Sequence, residues 1–295
     1  MYRLDDPPHL QYFTWLGQVL QGQLGWSQTS NKPVLETILS RLPRTAELVL
    51  PCIPIVILLG VYLGIKSATH RDTAVDHASR VFAIFGWSLP TFWLAIVLML
   101  IFYSWLGWFP PGTGGRPLGS PAGEFVTPGP SGSGWHTYTG FYTIDGLLNG
   151  QLWITMDCIV HLVLPTMTLT IISIALIIRI MRSSMLETLS KSYIITARAK
   201  GLKNSQVINK HARRNALIPV ATVSGLLVAG FLTGTVITET VYGYDGLGRW
   251  AALAAINTDI PAILGFAMLT AIIYVIANLF VDVLYAYLDP RIRLG

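Results

Sequence analysis

The chain has 295 residues, of which 52% are hydrophobic and only 12% are charged. Typical soluble domains carry about 25% charged residues, so this sequence has too little charge to cover the surface of a soluble globule. The mean hydropathy of +0.55 also excludes disordered, collagen-like and nucleic-acid-binding tails, which need polar, repetitive or highly charged sequence. We therefore expect no nucleic-acid partner despite the net charge of +5, and the composition predicts a protein of the lipid bilayer.

Five apolar segments are long enough to cross a membrane. A crossing of about 30 Å takes about 20 helical residues, and an open strand would leave unpaired backbone groups facing lipid. We therefore predict an all-α, polytopic membrane helical bundle with five visible transmembrane helices. The predicted spans are residues 45–65, 82–106, 158–181, 216–237 and 262–288.

The distribution of Lys and Arg gives the predicted orientation. The segment 183–215, between spans three and four, carries seven Lys or Arg and one acid, Glu187. Because short cytoplasmic loops carry the excess of positive charge, this segment and the C-terminus are expected in the cytoplasm. The predicted organisation is an extracytoplasmic segment 1–44, a transmembrane domain 45–290 with an outer loop 107–157 and a cytoplasmic insert 183–215, and a cytoplasmic tail 291–295.

Two arginines conflict with this orientation. Arg41 and Arg44 lie immediately outside span one, on the side where positive charge is disfavoured. In addition, the first 45 residues would have to cross the membrane with no span ahead of them. A preceding helix would remove both difficulties.

The predicted cytoplasmic insert contains the start and stop signals of two helices joined at a glycine. Ser192 is predicted to cap a short helix, with Tyr193, Ile194 and Ala197 on one apolar face, Lys200 at its negative end and Gly201 as its left-handed stop. A second helix is predicted to start after Asn204 or Ser205 and to run towards Asn215. The small residues Ala197, Ala199 and Gly201 would let another protein surface approach the backbone closely, as a rigid docking element requires. Alternatively, two basic amphipathic helices could lie on anionic lipid.

Several blocks of this sequence resemble one transporter family. Residues 193–202 read Tyr-Ile-Ile-Thr-Ala-Arg-Ala-Lys-Gly-Leu and residues 211–219 read His-Ala-Arg-Arg-Asn-Ala-Leu-Ile-Pro. These blocks resemble the EAA-type loop of ABC-importer permeases, in the dipeptide, oligopeptide and nickel branch. Residues 11–25, 106–112, 241–249 and 278–293 resemble other parts of the same family, in order along the chain. Members usually have six helices, and this chain begins just past the first one, so either its start has been placed too late, which we expect, or the protein uses five helices.

The resemblance implies a type I ABC importer permease, which moves di- or oligopeptides, or a related solute such as nickel, delivered by an extracytoplasmic substrate-binding protein. It also implies a second homologous permease subunit and two cytoplasmic ATPase subunits, in the plasma membrane of a prokaryote. The residues expected to couple to the ATPase are Tyr193, Thr196, Ala197, Arg198, Ala199, Lys200, Gly201 and Leu202. The residues expected to face the binding protein are Trp108, Pro110, Tyr242, Asp245 and Arg249.

No enzymatic chemistry is expected in this chain. It lacks a GxxxxGK[ST] phosphate loop, so ATP and Mg²⁺ would be bound by the partner ATPase and this chain would hold no cofactor. Asp157 and His161 are four residues apart but do not by themselves make a metal site. Two alternatives remain. A stand-alone secondary transporter would need an ion relay, for which the spans offer only His161 and Asp282, and a membrane enzyme would need paired catalytic groups, which are not visible.

Overall fold

The computed structural model describes residues 7–112, 136–233 and 235–288, with side chains up to residue 283. The middle of the predicted outer loop and the predicted tail 291–295 lie outside these residues. Helices make up most of the described chain. The two strands of the described residues have two residues each and form one antiparallel hairpin. The elements are α1 Pro8–Leu20, β1 Trp26–Ser27, β2 Lys32–Pro33, α2 Val34–Val49, α3 Cys52–Thr69, α4 Ala74–Ser88, α5 Thr91–Leu98, a π-helix Met99–Trp105, α6 Tyr142–Leu148, α7 Leu152–Leu189, α8 Ser192–Ala199, α9 Asn204–Gln206, a second π-helix Val207–Ala212, α10 Arg213–Leu232, α11 Val236–Tyr242, α12 Leu247–Ile256 and α13 Ile260–Leu288.

The helices confirm the predicted all-α membrane bundle. Among the described residues, four continuous helices are long and apolar enough to cross a bilayer, and a bent helix pair raises the number to five if the pair is one span. The four helices are Val34–Thr69, Leu152–Leu189, Asn204–Leu232 and Ile260–Val283.

The predicted second span, 82–106, is not one straight helix. It comprises the end of α4, then α5 and the first π-helix. The helix axis bends by 104° between α4 and the segment Thr91–Trp105. Leu89 has an extended backbone, with ψ of 129°, because the ring of Pro90 disfavours helical geometry at the preceding residue. The apolar length of this segment predicted a membrane span, but it did not predict the break at Pro90.

The predicted fourth span is shifted along the chain. The second helix of the insert does not stop near Asn215 but continues into the membrane helix, so that one element runs from Asn204 to Leu232. Val207, Ala212 and Ala216 are all fully buried, and this shared apolar face carries the helix across the predicted boundary. At its other end the helix stops at Leu232, short of the predicted end at residue 237. The hydroxyl of the next residue, Thr233, donates to the Gly230 carbonyl at 3.0 Å, a local hydrogen bond that competes with continuation of the helix.

Two glycines bring α3 into close contact with α7. A Cβ atom at Gly60 would lie 2.6 Å from the Ile177 side chain, and one at Gly64 would lie 2.6 Å from the Met181 side chain. Glycines four residues apart fall on one helix face and let two backbones approach closely, as in membrane helix pairs in general. This GxxxG pair was not singled out from the sequence.

The bundle has two ends, which α7 joins over about 57 Å at about 1.5 Å per residue. One end, here called the insert end, carries α8 after the last residue of α7. The other end, here called the loop end, carries the junction between α11 and α12 together with α2, which contacts both α6 and α12. At the loop end the hairpin is fastened to the start of α13, where Asp259 accepts hydrogen bonds from the Ser27 hydroxyl (2.7 Å) and the Thr29 amide (2.9 Å).

We predict that Gly64→Val destabilises the bundle by about 1–3 kcal/mol, the usual cost of overpacking a close contact. Gly17→Ala in α1 is the control, because nothing lies within 4 Å of the added methyl group and alanine favours the helix by about 1 kcal/mol. Unfolding in detergent, followed by circular dichroism, measures both. A stable Gly64→Val protein would mean that α3 and α7 are not packed this closely.

Candidate functional sites at the two ends of the bundle

The short helix α8 is anchored to the bundle by its apolar face. Ile194 is fully buried and Ala197 is 8% exposed. Both belong to one apolar cluster with Met181 and Met185 of α7 and with Ala212 of the second π-helix. This arrangement confirms the predicted apolar face of Ile194 and Ala197 and holds α8 rigidly against the end of α7.

The ends of α8 differ partly from the prediction. The predicted cap, Ser192, lies inside the first turn, while Lys191 occupies the cap position with an extended ψ of 148° and no side-chain cap bond. The start of α8 differs from the prediction because α7 ends at Leu189, so that the turn between α7 and α8 comes one residue earlier in the chain. Gly201 has a φ of +76°, the left-handed conformation that glycine adopts without strain, as predicted.

The face of α8 that points away from the bundle is partly apolar. Ile195 is 60% exposed and Leu202 is 38% exposed, and Thr196, Arg198, Ala199, Lys200 and Gly201 are also exposed. Tyr193, predicted on the buried face, is instead 41% exposed, and its hydroxyl accepts a hydrogen bond from Asn215 at 2.9 Å. The sequence reading missed Ile195, which is the most exposed large apolar residue of α8.

At the loop end, Asp245 pairs with both arginines that conflicted with the predicted orientation. Its carboxylate bonds to Arg41 and to Arg44 of α2. The Arg44 guanidinium also lies 4.7 Å from the ring centre of Tyr142, within the range of a cation–π contact. In the folded protein, the loop between α11 and α12 therefore neutralises part of the positive charge of α2.

Glu239 of α11 fastens the same loop through hydrogen bonds. Its carboxylate, fully buried, accepts from the Thr45 hydroxyl at 2.8 Å and from the Arg249 amide, in the first turn of α12, at 2.9 Å. The Leu247 amide donates to Thr45 at 2.8 Å. Burial raises the pKa of Glu239, although these hydrogen bonds lower it in part. The result ties α2, α11 and α12 together around one carboxylate.

The residues expected to face a binding protein lie in different surroundings. Trp108 is 58% exposed and Pro110 is half-buried, so both have accessible surface. Tyr242 is fully buried, with its hydroxyl 2.9 Å from that of Thr168 and donating to the Ala95 carbonyl at 3.1 Å. Tyr242 therefore has no side-chain surface to offer a receptor. The Arg249 guanidinium donates to the Gly243 carbonyl at 2.9 Å and helps to fix the loop.

An apolar cavity of about 750 Å³ lies among α3, α10 and α13. Ile53, Val228 and Phe280 are among the residues that line it. The Ser224 hydroxyl, also in the lining, is buried without a hydrogen-bond partner among the described residues. The cavity is large enough for a small molecule.

The described residues hold no group of three His, Cys, Asp or Glu that could bind a metal ion. His161 Nδ1 lies 2.8 Å from the Asp157 carbonyl, so the pair singled out from the sequence forms a local helix contact. Asp282, named above as a possible relay residue, is exposed.

We predict that Glu239→Ala loosens the loop end. The Arg249 amide and the Thr45 hydroxyl would lose their acceptor, at a cost of about 1–3 kcal/mol for each buried group left unpaired. Hydrogen exchange at Arg249 should therefore become faster in the variant. Glu36→Ala is the matched control, because Glu36 pairs with Lys32 on the surface and such pairs contribute at most about 1 kcal/mol. Equal exchange rates in both variants would contradict the role of Glu239.

The chain is similar to known transport proteins over almost its whole length. Residues 57–294 match the family model described as "Binding-protein-dependent transport system inner membrane component". The chain is 40% identical over 290 residues to a dipeptide transport system permease protein of Alkalihalophilus pseudofirmus, with 98% of this chain and 83% of that protein covered. It is 39% identical to the "probable D,D-dipeptide transport system permease protein" of Escherichia coli, with 99% and 82% covered. It is 34% identical to an oligopeptide transport system permease protein of Bacillus subtilis, with 99% and 83% covered.

These matches extend the resemblance seen in the short sequence blocks to the full membrane bundle. They cover the insert end, the loop end and every membrane helix between them. A family of transport-system components excludes the stand-alone secondary transporter. The chain belongs to the family of binding-protein-dependent transport system inner membrane components and is a multi-pass permease subunit of an ABC transport system.

Proposed function

We propose that this chain is the permease subunit of an ATP-driven importer of di- or oligopeptides. One observation carries the proposal: α8 is a short helix held rigidly by Ile194 and Ala197, while its opposite face, around Ile195, is exposed. This is the form expected of an element that docks into another subunit. The dipeptide and oligopeptide permeases among the relatives support peptides as the cargo, ahead of nickel.

The energetics favour a rigid docking element over a helix that merely lies on lipid. Reversing a two-state population from 1:99 to 99:1 takes about 5.5 kcal/mol of differential binding, which must pass through a stiff contact. Buried Ile194 connects α8 to Met181 and Met185 of α7, so a force on α8 reaches a helix about 57 Å long. A helix lying on the membrane surface would need no such anchor.

The remaining subunits are those that the family resemblance implies. This chain contains no phosphate loop, and ATP and Mg²⁺ would be bound by two separate ATPase subunits docked on α8 in the cytoplasm. A second homologous permease would complete the membrane pathway. The seven basic residues between 183 and 215 support a cytoplasmic insert, and hence a cytoplasmic C-terminus, in a prokaryotic plasma membrane.

On the opposite side, a substrate-binding protein would dock at the loop end. Trp108 offers exposed apolar surface there, and Asp245 and Arg249 hold the last outer loop in a fixed shape through their bonds to α2 and Gly243. Tyr242, being buried, would support this surface from inside. In this proposal most of the loop residues position the docking surface and few touch the receptor.

The proposal predicts ATP-dependent peptide uptake by the assembled transporter. When the chain is co-expressed with the other subunits of its transport system, it should copurify with an ATPase. Proteoliposomes that contain this complex and are supplied with the binding protein should accumulate a labelled dipeptide only when ATP is present. Labelled Ni²⁺ serves as the competing cargo. Uptake driven by a proton or sodium gradient without ATP would contradict the proposal, and ATP-dependent uptake of Ni²⁺ but not of dipeptide would contradict the cargo.

We further predict that Ile195→Glu separates this subunit from its ATPase. The substitution puts a charge in the centre of the exposed face without disturbing the buried anchor, so the protein should insert normally but lose most ATPase copurification and uptake. Ile195→Leu, which keeps the face apolar, is the control. Ala197→Glu and Gly201→Pro should uncouple transport by distorting the anchor and the left-handed stop. Unchanged copurification in Ile195→Glu would point instead to α8 lying on lipid or facing outside.

A further inference from the structure

Asp76 is a fully buried carboxylate at the insert end whose acceptor capacity is filled. It accepts hydrogen bonds from the Ser67 hydroxyl at 2.6 Å and from the Asp72 amide at 3.1 Å. Its two oxygens also accept from Arg182, at 2.6 Å from Nε and 2.9 Å from Nη2. These four donors come from α3, the turn before α4, and α7, so one side chain joins three elements.

Arg182 lies within one helical turn of the anchor of α8. It follows Met181 and precedes Met185 by three residues, and both methionines pack in the apolar cluster that buries Ile194. The Arg182 side chain is only 20% exposed. A movement of α8 that displaces this part of α7 therefore displaces the guanidinium that holds Asp76.

The two kinds of contact respond differently to such a movement. The packing of Met181 against Ile194 holds α8 against α7 by its close fit, but it contains no directional bond. A two-pronged bond between a guanidinium and a buried carboxylate is directional, and it cannot lengthen without losing two charge-assisted hydrogen bonds. The ion pair is thus the stiff part of the contact between α7 and α4.

Asp76 also lies at the start of the bent second span. It belongs to the first turn of α4, and α4 leads to the 104° break before α5. Arg80, on the next turn, has its Nε atom 3.7 Å from Asp76 and adds positive charge to the same cluster. Pulling on Asp76 therefore pulls on α4, the first half of this bent span.

We propose that the Asp76–Arg182 pair is the positioning contact that passes displacement of α8 and α7 to the broken span α4–α5. In this proposal neither residue contacts the cargo or the ATPase. The inference rests on the proposed function, because it assumes that an ATPase moves α8. It adds a defined route by which that movement reaches a second membrane segment.

The test uses the whole reconstituted transporter with Asp76→Asn and Arg182→Lys. Asparagine keeps the shape of aspartate but turns an amide donor towards groups that are themselves donors, and lysine keeps the charge but not the two-pronged geometry. Arg71→Gln is the matched control, since Arg71 pairs with Asp72 on the surface of the same loop, with both side chains 68% exposed. Dipeptide uptake and ATP hydrolysis are measured in the same proteoliposomes.

We expect uptake per ATP hydrolysed to fall by about tenfold in both variants, a typical size for coupling between sites, and to stay at the wild-type value in Arg71→Gln. A purely structural role would lower uptake and hydrolysis together and leave their ratio unchanged, which would overturn the inference. If Asp76→Asn does not assemble, the ratio in Arg182→Lys decides alone. If Ile195→Glu loses uptake while Arg182→Lys keeps the wild-type ratio, this inference fails and the proposed function stands; if Ile195→Glu transports normally, the proposed docking of the ATPase on α8 fails.

Discussion

Buried carboxylates at the helix ends are the interactions on which the rest of this structure depends. Backbone amides in the first turn of a helix have no partner within that helix, and where they are buried they must find partners elsewhere in the protein. Glu47 accepts hydrogen bonds from the amides of Tyr142 and Thr143, at the start of α6, and Glu239 accepts from the amide of Arg249 in α12. Each carboxylate therefore fixes where one helix begins and which other helix it contacts.

The middle of the bundle is held together in a different way. There the contacts are between apolar side chains and close backbones, as at Gly60 and Gly64 against α7. Such packing is dense but carries little directional preference, so helices can tilt or slide with modest loss of contact. A bundle with directional bonds at its ends and apolar packing between them is suited to rigid movements of whole helices, which is what a permease subunit needs.

The sequence predicted the features that depend on neighbouring residues and missed those that depend on distant ones. Apolar length indicated the spans, clustered Lys and Arg indicated the insert, and Gly201 marked the end of α8, because each is a local property. The bonds from Asp245 to Arg41 and Arg44 join residues 204 and 201 positions apart, and nothing in either segment alone indicates them. The burial of Tyr242 was missed for the same reason, since its partners Thr168 and Ala95 lie on other helices.

The length of α7 connects these observations. Near its end, Met181 and Arg182 contact the anchor of α8 and Asp76, and nearer its start Thr168 shares a hydrogen bond with Tyr242, the last residue of α11. Because a helix is stiff along its axis, a shift at the insert end cannot be absorbed within α7 and must appear at its other contacts. Tyr242 also donates to the Ala95 carbonyl of α5, so both halves of the broken span are bonded, directly or through one residue, to the same long helix. A displacement of α7 would therefore act on α4 and α5 at two separate points, on either side of the bend at Leu89.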